Sequence, residues 1–237
     1  MRDFDPAAPL IFIHVPKTAG QSVKRIFTDW YLDRIHFHYF DESMGRMPER
    51  IDLASEGNRR APPVLYGHFN RLRGFGVEQY YPEVRQFVTI LRDPFDMHVS
   101  RYHYTRREVH KWKLGSDIGD AGLAEHLEQG HLNMLEHFPR PVTTDNFKDI
   151  IEEYFVEIGC FEDLRNSLER IAARLGHAPG SFELPHLNAS KEMAVIPPGA
   201  RERFRDRWPL EFEVYDYVKQ LSDRCRLAET FVGQTEA

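Results

Sequence analysis

The sequence has few of the residues and runs that mark several common protein classes. Its 237 residues include only two cysteines, Cys160 and Cys225, so neither a disulfide framework nor a thiolate zinc site is indicated, and reduced thiols suit a reducing compartment. No run reaches the ~20 apolar residues that cross a bilayer. The opening, MRDFDPAAPL, has no signal-peptide core, and the net charge of −6 provides no basic field. We therefore expect a cytoplasmic protein with no nucleic-acid partner and no stable membrane insertion.

Apolar runs alternate with amphipathic stretches along the chain. The apolar runs predict strands at residues 10–15, 64–69, 85–94 and 156–161. Stretches with helical spacing of apolar residues lie between and after them. This alternation predicts an α/β fold with three layers, in which helices flank a mostly parallel sheet, and a single domain over residues 1–237. Ligands of such sheets bind beyond the carboxyl ends of the strands.

The first candidate site is the segment PKTAGQS, which follows the first predicted strand and enters a helix. It contains Pro16, Lys17, Thr18, Ala19, Gly20, Gln21 and Ser22. A glycine-containing turn before a helix offers backbone N–H groups and the positive end of the helix dipole to an anion. Lys17 adds a charge, and Thr18 and Ser22 add hydroxyl donors. The alternative is an ordinary strand–turn–helix junction with an exposed lysine.

This segment differs from the nucleotide-binding loop of ATPases. That loop places its lysine late, after the second glycine, whereas Lys17 comes before Gly20. No aspartate ends a second apolar strand in the form that holds Mg²⁺. Magnesium-bound ATP is therefore a poor fit, and we expect no metal site.

The second candidate site is the segment LRDPFDMHVSRY. Arg92 lies at a predicted strand end, and Asp93 and Pro94 are a helix-start signal. Ser100 follows about two helical turns later. A guanidinium and a hydroxyl so placed can hold one anion from two sides. The alternative is that Arg92 pairs with a surface carboxylate and Ser100 packs.

Together the two segments indicate a ligand with two separated phosphates. PKTAGQS resembles the 5′-phosphosulfate loop of sulfotransferases that use 3′-phosphoadenosine 5′-phosphosulfate (PAPS), and LRDPFDMHVSRY resembles their 3′-phosphate motif, with Arg92 and Ser100 at the matching positions. The chain is most similar to the carbohydrate sulfotransferases that include the heparan sulfate 2-O-sulfotransferases. The resemblance runs from Ile11 to about Tyr104, and more loosely through IGCFEDLRNSLERI and PHLNAS. It implies the P-loop-like sulfotransferase fold, PAPS as co-substrate, adenosine 3′,5′-bisphosphate as product, and no metal.

The segment LYGHF contains the candidate catalytic base. Related 2-O-sulfotransferases carry His-Gly-His here, so His68 matches their second histidine and Tyr66 replaces the first. The resemblance implies that His68 takes the proton from an acceptor hydroxyl, most readily one on a carbohydrate. It also implies that Lys17 stabilises the charge on the leaving nucleotide. A lone histidine is otherwise more often a packing residue.

Weaker features and rival functions remain open at this stage. The basic cluster at 106–113 fits an acidic acceptor or a solvated helix end, and the aromatic pairs in 37–40 and 80–81 fit an acceptor pocket or packing. Asn188 and Ser190 in PHLNAS are further ligand candidates. The rivals are a P-loop-like kinase and a non-catalytic glycan- or nucleotide-binding protein of the same fold. The acceptor and the oligomeric state are not determined by the sequence.

Overall fold

The computed structural model describes residues 1–53, 61–112, 122–184 and 195–235. The strands are β1 (Leu10–Ile13), β2 (Ile35–His38), β3 (Val64–Gly67), β4 (Gln86–Leu91) and β5 (Phe155–Cys160). The helices are α1 (Gly20–Tyr31), α2 (Val77–Tyr80), α3 (Pro94–Trp112), α4 (Leu123–Gln129), α5 (Phe147–Tyr154), α6 (Leu164–Arg174), α7 (Ala200–Arg207) and α8 (Pro209–Thr235). Short 3₁₀ turns lie at Leu32–Arg34, Arg71–Arg73, Leu135–His137 and Phe161–Asp163.

The five strands form one parallel sheet in the order β2-β3-β1-β4-β5. This arrangement confirms the predicted α/β fold with a parallel sheet flanked by helices. The central strand β1 pairs with β3 on one side and with β4 on the other, so that Ile13 lies opposite both Gly67 and Thr89. Because every strand is parallel, the segments that follow the strands meet at one edge of the sheet. The chain after β1 leads to β2 on one side of the sheet, whereas the chain after β4 leads to β5 on the other side. A crevice therefore opens between the ends of β1 and β4 at that edge.

Two apolar clusters cover the two faces of the sheet. Alternate residues of β1 point to opposite faces, with Ile11 in one cluster and Phe12 in the other. The cluster around Phe12 includes residues of α1 and α6, and the cluster around Ile11 includes residues of α3, α5, α7 and α8. All four residues of β1 and all six of β4 are buried. Burial on both faces explains why these strands read as continuous apolar runs instead of alternating ones.

Several predicted boundaries change in the structure. Strand β1 ends at Ile13 and not at residue 15. Asp93 caps α3 as predicted, because its Oδ1 accepts a hydrogen bond from the Asp96 N–H at 3.0 Å. The edge strand β2 was missed, since its sequence IHFH has no apolar run. Among the described residues, no helix is long and apolar enough to cross a membrane.

Candidate functional site

The loop between β1 and α1 has a backbone shaped to hold an anion. Lys17 and Ala19 have φ angles of 71° and 63°, and Thr18 between them has a negative φ. Such an alternation of left- and right-handed residues turns successive N–H groups into one concavity. The backbone N–H groups of Thr18, Ala19, Gly20 and Gln21 donate no hydrogen bond to any described residue. Helix α1 starts at Gly20 and adds the positive end of its dipole to these open donors.

One expected donor of this loop is used elsewhere. The sequence predicts that the Thr18 hydroxyl contacts an anion, but in the structure Thr18 is buried and its Oγ1 donates to the Val15 carbonyl at 2.7 Å. This hydrogen bond joins two residues of the same turn and so stabilises it. Thr18 thus holds the loop in shape through its side chain and leaves its backbone N–H for a ligand.

Arg92 joins the two anion-binding segments. It follows β4 directly, and its Nη1 donates to the Lys17 carbonyl at 3.2 Å. Its guanidinium lies 4.3 Å from the ring centre of Phe161, the first residue after β5. Within the part of the chain that the structure describes, Arg92 forms no ion pair, and its Nε is buried without a hydrogen bond. The surface ion pair considered as the alternative for Arg92 is therefore not what the structure shows.

The carboxylates around Arg92 are occupied by other partners. Glu162 accepts a hydrogen bond from the Asp93 N–H at 2.9 Å and another from the Tyr215 hydroxyl at 2.7 Å. Asp93 forms an ion pair with Arg201 at 2.8 Å. These contacts leave the Arg92 guanidinium to the loop and to a ligand.

Lys17 and Ser100 border the same region. The Lys17 ammonium lies 4.0 Å from the centre of the Tyr104 ring on α3. This contact holds the lysine between the loop and the helix that carries Ser100. Ser100 is half-buried on α3, and its hydroxyl forms no hydrogen bond with a described residue. The structure thus brings Arg92 against the Lys17 main chain, and the Ser100 hydroxyl has no hydrogen-bond partner among the described residues.

His68 lies directly after β3, beside the loop. The ring centres of His14, Tyr39 and His137 lie 4.4, 4.9 and 5.9 Å from its own. His14 and His137 are buried, whereas His68 is partly exposed. Burial, and to a smaller extent the charge of Arg73, lowers the pKa of His68 to about 4. The imidazole is therefore neutral at neutral pH.

Tyr66 and His14 have roles that the sequence did not reveal. Tyr66 is fully buried, and its hydroxyl donates to the Gly20 carbonyl at 2.7 Å, so it supports the loop. The second imidazole beside His68 comes instead from His14, which follows β1. The signal was present in the sequence, because residues that directly follow neighbouring parallel strands meet at the sheet edge. It could be read only once β1 was known to end at Ile13, opposite Gly67.

The remaining candidates divide between packing and surface. Tyr81 is fully buried, and its hydroxyl accepts a hydrogen bond from the Ile51 N–H, so it is a core residue and not part of an acceptor pocket. Phe37 is exposed, and the Lys24 ammonium lies 3.9 Å from its ring centre. Asn188 and Ser190 lie outside the described residues, as does the end of the basic cluster at 106–113.

The close contact between Gly20 and His14 predicts the effect of a substitution. A methyl group added to Gly20 would lie 1.7 Å from His14 Nε2, which no side chain tolerates. We expect Gly20→Ala to lower the free energy of unfolding by about 1–3 kcal/mol through overpacking. Chemical denaturation of the variant measures this loss. Gly122→Ala is the matched control, since a Cβ there meets no atom within 4 Å, and equal stability of the two variants would contradict the expectation.

Comparison with known proteins gives structural similarities at low sequence identity. No family model matches the chain, and no curated protein matches it. The mouse sulfotransferase SULT7A1, in a crystal structure complexed with PAP, is 14% identical with a TM-score of 0.44 over 84% of this chain and 63% of that chain. The sulfotransferase from Alicyclobacillus acidocaldarius is 16% identical with a TM-score of 0.48 over 93% of this chain and 96% of that chain. The chain spans less than two thirds of the mouse protein.

Proposed function

We propose that this protein is a sulfotransferase that moves a sulfuryl group from PAPS to a hydroxyl acceptor. The observation that carries the proposal is the contact of Arg92 with the loop that contains Lys17, at 3.2 Å. It brings the Arg92 guanidinium against the main chain of the loop, beside a row of open backbone N–H groups, while the Lys17 ammonium lies over the Tyr104 ring on α3. A ligand with phosphates at both ends of one nucleoside matches this set of donors.

Each part of the ligand has a proposed partner. The open N–H groups of residues 18–21 hold the 5′-phosphate, and Arg92 with Ser100 holds the 3′-phosphate. Lys17 stabilises the negative charge that builds on the bridging oxygen as the sulfuryl group departs. The transferred group carries less charge than a phosphoryl group, so this proposal assigns no step to a metal.

His68 is the proposed general base. Its partial exposure gives an acceptor access to the ring, and its lowered pKa keeps it neutral. In the proposed reaction the acceptor oxygen attacks sulfur, the bond from sulfur to the bridging oxygen breaks, and the acceptor proton passes to the imidazole. A carbohydrate hydroxyl is the proposed acceptor, on the sequence resemblance alone. Labelled PAPS incubated with glycan, lipid and phenolic acceptors tests both transfer and acceptor class.

Arg92→Ala should weaken donor binding. Loss of one charge-assisted contact removes ~1.5–3 kcal/mol, which lowers affinity by about one to two orders of magnitude. Calorimetry with adenosine 3′,5′-bisphosphate, without magnesium, measures the change. Arg85→Ala is the matched control, because Arg85 is exposed and precedes the other end of β4. Equal affinity of wild type and Arg92→Ala would remove Arg92 from the site.

The same titrations separate the rival functions. A sulfotransferase should bind adenosine 3′,5′-bisphosphate more tightly than AMP or ADP and should not need magnesium. Tight ADP binding that requires magnesium would favour a kinase. Tight binding of the bisphosphate with no transfer to any acceptor would favour the non-catalytic binding protein.

A further inference from the structure

His14 occupies a position that the proposed reaction does not yet use. Its backbone N–H donates to the Gly67 carbonyl at 2.8 Å, which fixes residue 14 beside the end of β3. Its ring lies against Gly20, where even a methyl group would overlap Nε2. The ring also lies 4.4 Å from that of His68. One buried side chain therefore touches both the first residue of α1 and the candidate base.

Tyr39 contacts the His14 ring at Nδ1, the nitrogen that does not face Gly20. The phenol oxygen lies 3.0 Å from His14 Nδ1, within hydrogen-bond distance. The Tyr39 ring also meets the His68 ring edge-on, at 4.9 Å between centres and 65° between planes. Tyr39 and His14 thus both pack against the His68 ring, and a hydrogen bond joins them to each other.

We propose that His14 is a positioning residue for His68, and that its hydrogen bond with Tyr39 fixes the orientation in which His68 meets the acceptor. This inference rests on the proposed function, in which His68 is the base. A base acts efficiently only when a third group orients it. The carboxylates nearby are committed to other partners, such as Glu42 to Arg73 at 2.9 Å. His14 and Tyr39 orient the His68 ring instead, because both pack against it and a neutral hydrogen bond joins them.

The two histidines differ in the work they can do. Burial, and to a smaller extent the repulsion that His68 exerts when it is protonated, lowers the pKa of His14 well below its usual value. His14 is also less exposed than His68, so an acceptor reaches His68 first. His68 takes the proton while His14 stays neutral and keeps its bond to Tyr39 throughout the reaction.

Tyr39→Phe is the most conservative test, since it removes one oxygen and keeps the ring against His68. We expect kcat to fall about tenfold through misorientation of the base, with the KM for PAPS changed less than about threefold. Tyr31→Phe is the matched control. Its buried hydroxyl has no hydrogen-bond partner among the described residues, so its removal should leave kcat unchanged.

A set of double variants separates positioning from general support of the fold. His14→Phe removes the same hydrogen bond from its other side, so Tyr39→Phe combined with His14→Phe should lose no more activity than either alone. In a His68→Ala background, Tyr39→Phe should have no effect on kcat. Wild-type kcat in both single variants, or a loss of the same size in the His68→Ala background, would overturn the proposal.

Nuclear magnetic resonance of protein labelled with ¹⁵N at histidine gives a readout that does not need turnover. We expect the His68 ring to show one tautomer in the free wild type and an averaged or different tautomer in Tyr39→Phe. If the wild type transfers no sulfuryl group, the proposed function fails, yet this measurement still tests the link between Tyr39, His14 and His68. An unchanged His68 signal in Tyr39→Phe would overturn that link.

Discussion

Replacing His68 with alanine should lower kcat by about 10²–10⁴-fold, the usual contribution of a general base. A sugar hydroxyl is a very weak acid, so its attack on sulfur requires a proton acceptor in the transition state. Donor affinity should stay near the wild-type value, because His68 lies outside the row of backbone N–H groups in the loop. Steady-state kinetics with an acceptor identified from the labelled panel, together with calorimetry, separate the two effects.

The control and the pH profile sharpen this test. His177→Ala removes a histidine that stacks on Trp30 at the far end of α1, and it should leave kcat unchanged. Since the pKa of His68 is lowered to about 4, His68 should produce no acid limb near its usual pKa of ~6.5. If His68→Ala keeps kcat, the base lies elsewhere, with His103 to be tested next. His98 is buried against the His126 carbonyl, and Glu78 is paired with Arg71, which makes both poorer bases.

Acidification should destabilise the protein steeply between pH 6.5 and 4. Burial lowers the pKa values of His38, His68 and His98 to about 4 and that of His137 to about 3. In the unfolded chain these groups bind protons at about pH 6.5. Below that pH the unfolded state therefore takes up protons that the folded state rejects, and stability falls until the folded pKa is reached.

The size of the effect follows from the number of groups. Each histidine removes up to about 1.4 kcal/mol of unfolding free energy per pH unit. Burial has the opposite consequence at Glu211, where it raises the pKa to about 8. Protonation of this carboxyl stabilises the folded protein as the pH falls, which offsets the effect of one histidine. These four histidines less Glu211 leave about 4 kcal/mol per pH unit. His14, whose pKa is also lowered well below its usual value, adds to the loss, and the raised pKa of Glu157 reduces it. A typical total stability is ~5–15 kcal/mol. We expect unfolding above pH 4.

Denaturant titrations at pH 7, 6 and 5 measure this slope. His98→Gln is the informative variant, because the amide can still donate to the His126 carbonyl but does not titrate. It should reduce the slope by about 1.4 kcal/mol per pH unit. A free energy of unfolding that is constant from pH 7 to pH 5 would show that these histidines titrate equally in the folded and unfolded states.

The fold class could be predicted, and both candidate anion-binding segments could be proposed, because each depends on the pattern of consecutive residues. The apolar runs of β1 and β4 are buried on both faces, and the loop that contains Lys17 adjoins β1 directly. The contacts between segments could not be predicted in this way. The bond from Arg92 to the Lys17 carbonyl depends on β4 lying next to β1, which sheet order decides and local sequence does not.

The contacts of His14 and Tyr39 with His68 could not be predicted from local sequence either. His68 was identified through its resemblance to a family motif, whereas His14 and Tyr39 belong to no such motif. Their importance comes from the position of β3 between β1 and β2, which brings three strand ends together. The short edge strand β2 carries little apolar signal, so Tyr39 after it had no predicted place in the sheet. The hydrogen bond from the Thr18 hydroxyl to the Val15 carbonyl could not be predicted for a related reason, since it exists only in the folded turn.

The strand order has a further consequence for assembly of the molecule. The residues around the crevice come from chain positions 14 to 162, and the central strand β1 pairs with β3 and β4, which are both far from it in the chain. A nascent chain or a partly unfolded intermediate therefore lacks the crevice until β1 has paired with both β3 and β4, and non-local pairings of this kind form slowly. The bisphosphate should bind only the completed sheet. At a hundredfold excess over its Kd it would then raise the unfolding free energy by about 2.7 kcal/mol and slow proteolysis of the unfolded chain.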